Sequence, residues 1–333
     1  WRIDTGPGGG VLQMSASDST HLSLAIARHH AVQAGHATDS LVAYGSEQAH
    51  SSIEKGARIA GFRHIRSIET DASFAMDVDA LSNQIEEDLA SGLVPTWICS
   101  AVGTTSTTAM DPIRSIAAVA KAHDMWHHAD AAYAGSAMIC PEFRHLQDGV
   151  ELVDSYTFNP HKWLLTNLDC SVFWVGNREK LIDAMSILPA YLKNESSGNP
   201  DAIDYRDWHV PLGRRFRALK LWFVLRSYGA EKLRDFVRSH VDWAKELEKQ
   251  LVEDNRFEIV APRTLALVCF RHLGGNEATK SLANAINASG TAYLTPSVID
   301  DTDFIRVSIG STWTEQRHVD ALWELIDLNG FPI

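Results

Sequence analysis

The chain has 333 residues, four cysteines and a formal net charge of −12 at neutral pH. The acid excess disfavours a nucleic-acid or other polyanionic partner, and no apolar run approaches the ~18 residues of a membrane-spanning helix. The length suits one large domain with a smaller one. Cys99, Cys140, Cys170 and Cys269 are widely spaced, without a Cys-x-x-Cys pair or a secretory leader, which fits a reduced, cytoplasmic protein.

Strand–helix units fill the first half of the chain. Gly6-Pro7-Gly8-Gly9-Gly10 opens as a loop into Val11-Leu12-Gln13 and then Ser15-Ala16-Ser17, and apolar spacing at Leu22, Leu24, Ile26, Ala27 and Val32 predicts a helix. Small hydroxyl residues at a helix start leave free backbone N–H groups at the positive end of its dipole. That suits a phosphate, and it equally suits an ordinary cap. Leu41 to Tyr44 reads as a strand, and the turn after it puts His50 ahead of a short helix capped by Ser51 or Ser52. A strand at His64 to Ile68, a helix at Val78 to Leu89 and a strand at Thr96 to Val102 follow. Thr105 lies in the hydroxyl-rich loop Gly103 to Thr108, and Asp111-Pro112 then starts a helix that runs to Ala122. Short buried strands are expected at Trp126 to Ala129, Ser155 to Phe158 and Cys170 to Val175. Repeated units of this kind argue a mostly parallel sheet covered on both faces.

Two stretches in this half carry chemistry. In His127-His128-Ala129-Asp130-Ala131-Ala132 the aspartate sits at the carboxyl end of a strand, where open α/β sheets bind ligands. A buried aspartate needs a cationic partner. The pyridinium nitrogen of pyridoxal phosphate is one such partner, and small residues after Asp130 leave room for a flat ring. A metal site at His127, His128 and Asp130 is the competing reading, but adjacent histidines on a regular strand point to opposite faces. In Ser155-Tyr156-Thr157-Phe158-Asn159-Pro160-His161-Lys162-Trp163 a strand stops at Pro160 and a lysine follows among apolar and aromatic groups. Such a setting disfavours the charged ammonium and suits Schiff-base chemistry with an aldehyde. A snorkelling lysine at a strand end fits the same nine residues.

Pro189 to Asp207 breaks the alternation with a polar stretch that reads as a lid or a surface excursion. After Pro211-Leu212-Gly213, helical spacing resumes at Leu219, Leu221, Trp222 and Leu225, and a long amphipathic helix is expected from Ala230 to Val252. Strands at Ile259 to Ala261 and Leu265 to Phe270, a helix at Glu277 to Ala288, strands at Ala292 to Leu294 and Ile305 to Ile309, and a last helix from Thr314 make an α+β tail. There is no internal repeat or low-complexity segment.

Asn159-Pro160-His161-Lys162-Trp163, taken with Asp130-Ala131-Ala132-Tyr133-Ala134-Gly135, resembles the group II pyridoxal-phosphate-dependent decarboxylases, and among them most the aromatic-L-amino-acid decarboxylases. The likeness runs from the first ten residues to Trp323. It implies an α/β, type I (aspartate-aminotransferase-like) large domain over 1–219 with a mixed, mostly parallel seven-stranded sheet, and a small α+β C-terminal domain over 220–333. It also implies a further segment ahead of Trp1.

The resemblance assigns roles as well. Lys162 holds pyridoxal phosphate, Asp130 keeps its ring nitrogen protonated, and His50 stacks on the ring face opposite Ala132. Ala16, Ser17 and Asn159 bind the phosphate, with Thr105 beside the cofactor. Tyr191 reprotonates the substrate α-carbon, and His161 assists or merely packs nearby. Asp18-Ser19 stands where the family usually carries Glu-Ala, a mild departure. Members with phenylalanine at the Tyr191 position act as aldehyde synthases, so tyrosine favours a decarboxylase. Glycine at the Gly213 position goes with indole substrates in plant members and serine with tyrosine-like ones. The implied reaction converts tryptophan, 5-hydroxytryptophan, DOPA, tyrosine or phenylalanine to its amine and CO₂. The implied assembly is a homodimer with the active site at the subunit interface.

Three alternatives stand beside this reading. One is a decarboxylase of histidine, glutamate or cysteine sulfinate, and another is a non-catalytic assembly subunit of the same fold. The third, a nicotinamide-binding Rossmann protein, requires a GxGxxG after a first strand, and Gly6 to Gly10 lacks both the spacing and the strand.

Overall fold

The computed structural model describes residues 7–187 and 204–330. A seven-stranded sheet organises the first part, in the order β1-β7-β6-β5-β4-β2-β3. Its strands are β1 (Gly9–Gln13), β2 (Leu41–Ser46), β3 (His64–Ile68), β4 (Val94–Ala101), β5 (Trp126–Asp130), β6 (Ser155–Phe158) and β7 (Ser171–Val175). The run from β3 to β6 is parallel; β7 joins β6 antiparallel, and β1 joins β7 antiparallel at the edge. The sheet is therefore mixed and mostly parallel, as the resemblance implies.

Helices cover both faces. They are α1 (Ala16–Gln33), α2 (Ser52–Ala60), α3 (Val78–Ala90), α4 (Ile113–Ala122), the single turn α5 (Pro160–Trp163) and α6 (Arg178–Met185). Alternate strand residues point to opposite faces, and the packing follows that rule. Leu41, Ala43, Trp97 and Cys99 join Leu22, Leu24 and Ile26 of α1, Ile53 and Ala57 of α2, and Leu181 of α6. Val42, Tyr44 and Ile98 instead join Leu81 and Ile85 of α3 and Ile116 and Ala120 of α4. Burial on both faces is what makes these strands continuous apolar runs in the sequence.

The glycine-rich start corrects the expectation of a loop: Gly9 and Gly10 open β1. A Cβ on Gly10 would lie 2.3 Å from the Trp174 ring, and one on Gly9 2.4 Å from the Trp208 ring. Two indoles lie against bare backbone here, so the glycines serve close packing rather than a turn.

The second part is α+β. Helix α7 spans Arg217–Glu253 and is broken at Gly229, whose φ of 69° interrupts the helix. The two helices expected here are thus joined end to end, and the division expected between 219 and 220 falls in the first turn of α7. Then come β8 (Phe257–Ile259), β9 (Leu267–His272), α8 (Asn276–Ala288), β10 (Thr295–Ile299), β11 (Thr302–Ser308) and α9 (Gln316–Asn329). The strands form an antiparallel sheet in the order β10-β11-β9-β8.

The strand expected at Ala292 to Leu294 begins instead at Thr295. The Asn287 side chain accepts from Leu294 N at 2.6 Å and donates to its carbonyl at 3.0 Å, holding that segment to the end of α8. Asp300 and Asp301, both at positive φ, form the two-residue hairpin turn. One apolar core joins the two parts: Ala131, Ala134 and Trp163 pack in the same cluster as Val237, Leu247, Phe270 and Ile305.

Candidate active site

The described residues singled out in the sequence converge. Ala16, Ser17, His50, Thr105, Asp130, Ala132, Asn159, His161 and Lys162 all line one cleft of about 200 Å³. It lies at the carboxyl ends of β4, β5 and β6, the usual ligand position in such sheets. Tyr191 lies outside the described residues.

Each wall has a local cause. Ser15 caps α1: its hydroxyl accepts from Asp18 N at 3.2 Å and donates to Asp18 Oδ2 at 2.6 Å. Ala16 and Ser17 follow in the first turn, where backbone N–H groups have no acceptor within the helix. Across the cleft, His50 Nδ1 accepts from Ser52 N at 3.1 Å and sits 2.8 Å from Ser52 Oγ. An accepting Nδ1 places the neutral ring's proton on Nε2.

The loop after β4 is held from two sides. Gly103 has φ +85°, and a Cβ there would lie 2.9 Å from that of Ala134. Thr104 Oγ1 accepts from Ala109 N at 3.0 Å and bonds Thr107 Oγ1 at 3.0 Å. From the second part of the chain, Cys269 Sγ and Arg306 Nε each donate to the Ser106 carbonyl at 3.2 Å. Thr105 is left facing the cleft.

Asp130 Oδ1 accepts from Ala132 N at 2.9 Å, which fixes the carboxylate at the strand end. Buried carboxylates elsewhere have full partners. Asp88 accepts from Arg66 and, at 2.8 Å, from Tyr44 Oη. Asp111 accepts from Met76 N at 2.8 Å and Ala101 N at 2.7 Å. Asp130 has no arginine or lysine partner among the described residues. Its charge is felt nearby, where it adds to the burial that pushes the Cys99 thiol and the Tyr156 phenol up.

Asn159 is 3% exposed, and its Oδ1 is buried with no hydrogen-bond partner. Asn159 N donates to Ala132 O at 3.0 Å and Lys162 N to Asn159 O at 2.9 Å, so one turn of chain places asparagine and lysine together. The apolar setting expected for Lys162 needs correction, because its side chain is exposed to the cleft. Successive residues on a helical turn diverge, and Trp163 is the one that enters the core. Trp163 is 1% exposed, stacks on Tyr133 with centroids 4.8 Å apart, and donates Nε1–H to His240 Nδ1 at 2.9 Å. Lys162 forms no salt bridge among the described residues.

His161 Nδ1 accepts from Cys170 N at 2.9 Å, and burial holds its pKa below the ordinary range. One ring nitrogen is therefore committed to structure. His127 and His128 bond separate serines, with Nε2 2.5 Å from Ser100 Oγ and Nδ1 2.8 Å from Ser155 Oγ respectively. Gly213 is not brought to Lys162 within one chain. It lines another cleft with Gln13, Met14, His21 and His209.

Ser15, Ser52, Thr104 and Tyr133 also line the Lys162 cleft and were not singled out. Tyr133 stood inside the quoted aspartate motif, and Ser15 was readable as a cap. Ser52 was likewise named as a candidate cap, whereas Thr104 acts through its neighbours and carries no signal of its own in the sequence.

The donor set suits pyridoxal phosphate. An unpaired carboxylate answers a protonated ring nitrogen, and an unpaired lysine answers an aldehyde. Helix-start amides stand where an anion would be bound, and Asn159 lines the same cleft. Comparison with known proteins agrees. Residues 2–273 match the family model described as the pyridoxal-dependent decarboxylase conserved domain. Tryptophan decarboxylase 2 of Oryza sativa subsp. japonica is 44% identical, over 97% of this chain and 68% of the relative. Phenylacetaldehyde synthase of Arabidopsis thaliana is 43% identical, over 97% of this chain and 69% of the relative. The crystal structure of Oryza sativa TDC with PLP and tryptamine superposes with a TM-score of 0.95 at 41% identity, covering 98% of this chain and 70% of that one. Motif, cleft and relatives agree: the chain belongs to the pyridoxal-dependent decarboxylase family.

Proposed function

We propose that the protein decarboxylates an aromatic L-amino acid such as tryptophan, 5-hydroxytryptophan, DOPA, tyrosine or phenylalanine, releasing the amine and CO₂. The observation that carries this reading is that the Asp130 carboxylate and the Lys162 amine line one cleft and neither forms a salt bridge among the described residues. The names of the relatives support an aromatic side chain, since they include a tryptophan decarboxylase of Oryza sativa and an Oryza sativa TDC whose structure holds tryptamine.

When bound, pyridoxal phosphate supplies a ring that accepts the electron pair left behind as CO₂ departs. The residues of this chain do the rest. Lys162 Nζ supplies the amine that would hold the cofactor aldehyde. Asp130 keeps a proton on the ring nitrogen, which sustains the positive charge that draws electrons. Ala132 and His50, which line the cleft, would flank the ring, and Ala16, Ser17 and Asn159 would hold the phosphate. Tyr191 returns a proton to the substrate α-carbon. We further propose that the protein acts as a cytoplasmic homodimer. Four buried cysteines without a disulfide are consistent with a reducing compartment.

Product analysis tests the reading. Amine, aldehyde and CO₂ are assayed for the wild type and Tyr191→Phe with tryptophan, 5-hydroxytryptophan, DOPA and tyrosine. The wild type is expected to make amine and CO₂ in equal amounts. In air the Tyr191→Phe variant is expected to release CO₂ but yield mostly aldehyde, with dissolved O₂ as the oxidant and ammonia and hydrogen peroxide as co-products; an aldehyde is the product named for the Arabidopsis relative. Rejection of all four substrates would overturn the aromatic assignment, and an unchanged amine yield in the variant would remove Tyr191 from the proton-transfer role.

A further inference from the structure

His29 and His30 stand side by side near the end of α1, and Asp183 faces them from α6. His29 Nε2 lies 3.1 Å and His30 Nδ1 4.0 Å from the same oxygen, Asp183 Oδ2. One ligand atom from each residue lies within 4.8 Å of the other two. Two ligands of a tetrahedral zinc, each 2.0–2.1 Å from the ion, are roughly 3.4 Å apart. The observed separations bracket that spacing, so a shared ion needs only side-chain adjustment.

The far side of His30 adds an independent observation. Its Nε2 lies 3.0 Å from the Lys180 carbonyl, an acceptor that can only take a proton. That bond puts the ring's proton on Nε2 and leaves the Nδ1 lone pair directed toward Asp183. Metal-bound imidazoles carry just such an acceptor on their other nitrogen, which fixes tautomer and ring orientation. The two imidazoles meet edge to face, with centroids 5.3 Å apart and planes at 85°, so each offers a nitrogen without stacking on the other. The side chains are 29%, 31% and 64% exposed, which leaves a fourth position for water.

We propose that His29, His30 and Asp183 form a surface site for a divalent first-row transition metal, with zinc as the reference ion. Two imidazoles and a carboxylate are a donor set for zinc, nickel or copper(II) rather than magnesium or calcium. The ion would clamp α6 to the far end of α1. None of the three residues lines the Lys162 cleft. An 18-residue helix is roughly 27 Å long, and α1 presents its opposite end to that cleft. The site is therefore separate from the decarboxylase chemistry.

Calorimetric titration with zinc chloride tests the proposal, using cofactor-loaded protein previously dialysed against a chelator. Thermal unfolding is followed in the same solutions. The wild type is expected to take up one zinc per chain and to melt at a higher temperature with it. His30→Ala and Asp183→Asn should each lower zinc affinity by roughly tenfold or more and remove the thermal shift. Their turnover in chelator should equal that of the wild type, which also shows that both variants fold. Zinc uptake unchanged in both variants would put the ion elsewhere and overturn the assignment. No uptake by the wild type would leave a bare imidazole–carboxylate pair and overturn it as well.

Discussion

Asp130 is held by a single backbone amide and has no cation beside it among the described residues. A carboxylate at the end of a buried strand stays ionised more readily when an opposite charge is near. The ring nitrogen of the cofactor is that charge in the proposed reaction, which makes a clear prediction at the level of one residue. Asp130→Asn keeps the side-chain oxygen that accepts from Ala132 N, so the fold and the cleft should persist. What it removes is the negative charge that sustains a proton on the ring. Cofactor absorbance should remain after desalting, while kcat falls by about 10²–10³-fold, the scale of losing one preorganised electrostatic contact. Near-normal turnover in the variant would refute the role given to Asp130. Lys162 shows a different side of residue-level reading. Its place next to Asn159 and after Asp130 was legible, but its exposure was not, because Trp163 rather than Lys162 takes the apolar side of the turn.

At the scale of elements, the order of strands and helices was legible because sheet faces are covered by helices and buried strands show as apolar runs. The edge strand β1 was not, because its glycines answer Trp174 and Trp208, which lie far away in sequence. The start of β10 was displaced for a similar reason, since the Asn287 side chain captures the backbone just ahead of it. The contact between α5 and α7 is another long-range fact with consequences. Trp163 Nε1–H donates to His240 Nδ1, and the rings lie nearly parallel at 8°. That bond needs a neutral His240, and burial holds its pKa down at about 4. An unfolded histidine titrates near ~6.5, so on acidification the unfolded chain takes up this proton first. The contribution is complete above pH ~6.5 and drains as pH falls toward the folded value, by about 1.4 kcal/mol per pH unit. His127 and His128, pushed down to about 3 by burial, act in the same direction. Urea unfolding at a series of pH values from 6.5 to 5 should therefore show falling stability. His240→Gln keeps an acceptor for Trp163 but does not titrate, so its slope should be shallower by one proton. A slope equal to that of the wild type would dissociate His240 from the acid sensitivity.

At the scale of the molecule, the first half of α7 shows a surface that a lone chain does not explain. Phe216 is 75% exposed, Trp222 54% and Phe223 55%, and Leu219, Leu225 and Tyr228 are exposed along the same helix. At about 3.6 residues per turn these positions sweep most of the way round the helix, and apolar exposure concentrated on one helix marks a contact surface rather than scattered surface residues. Gly213 and the nearby cleft adjoin the start of this helix and share no lining residue with the Lys162 cleft. A symmetric homodimer buries the same patch on both copies. Sedimentation of the cofactor-loaded protein should give twice the chain mass at micromolar concentration. Replacing Trp222 and Phe223 together by glutamate places like charges in the contact and should shift the protein to a monomer with lower activity. Helix α7 should remain folded in that variant, because its buried apolar residues Leu233, Val237, Ala244, Leu247 and Leu251 all lie beyond the break at Gly229. Circular dichroism separates the two effects. A wild type that sediments as an active monomer would end the dimer proposal, and a double variant that is still dimeric would move the contact away from this helix.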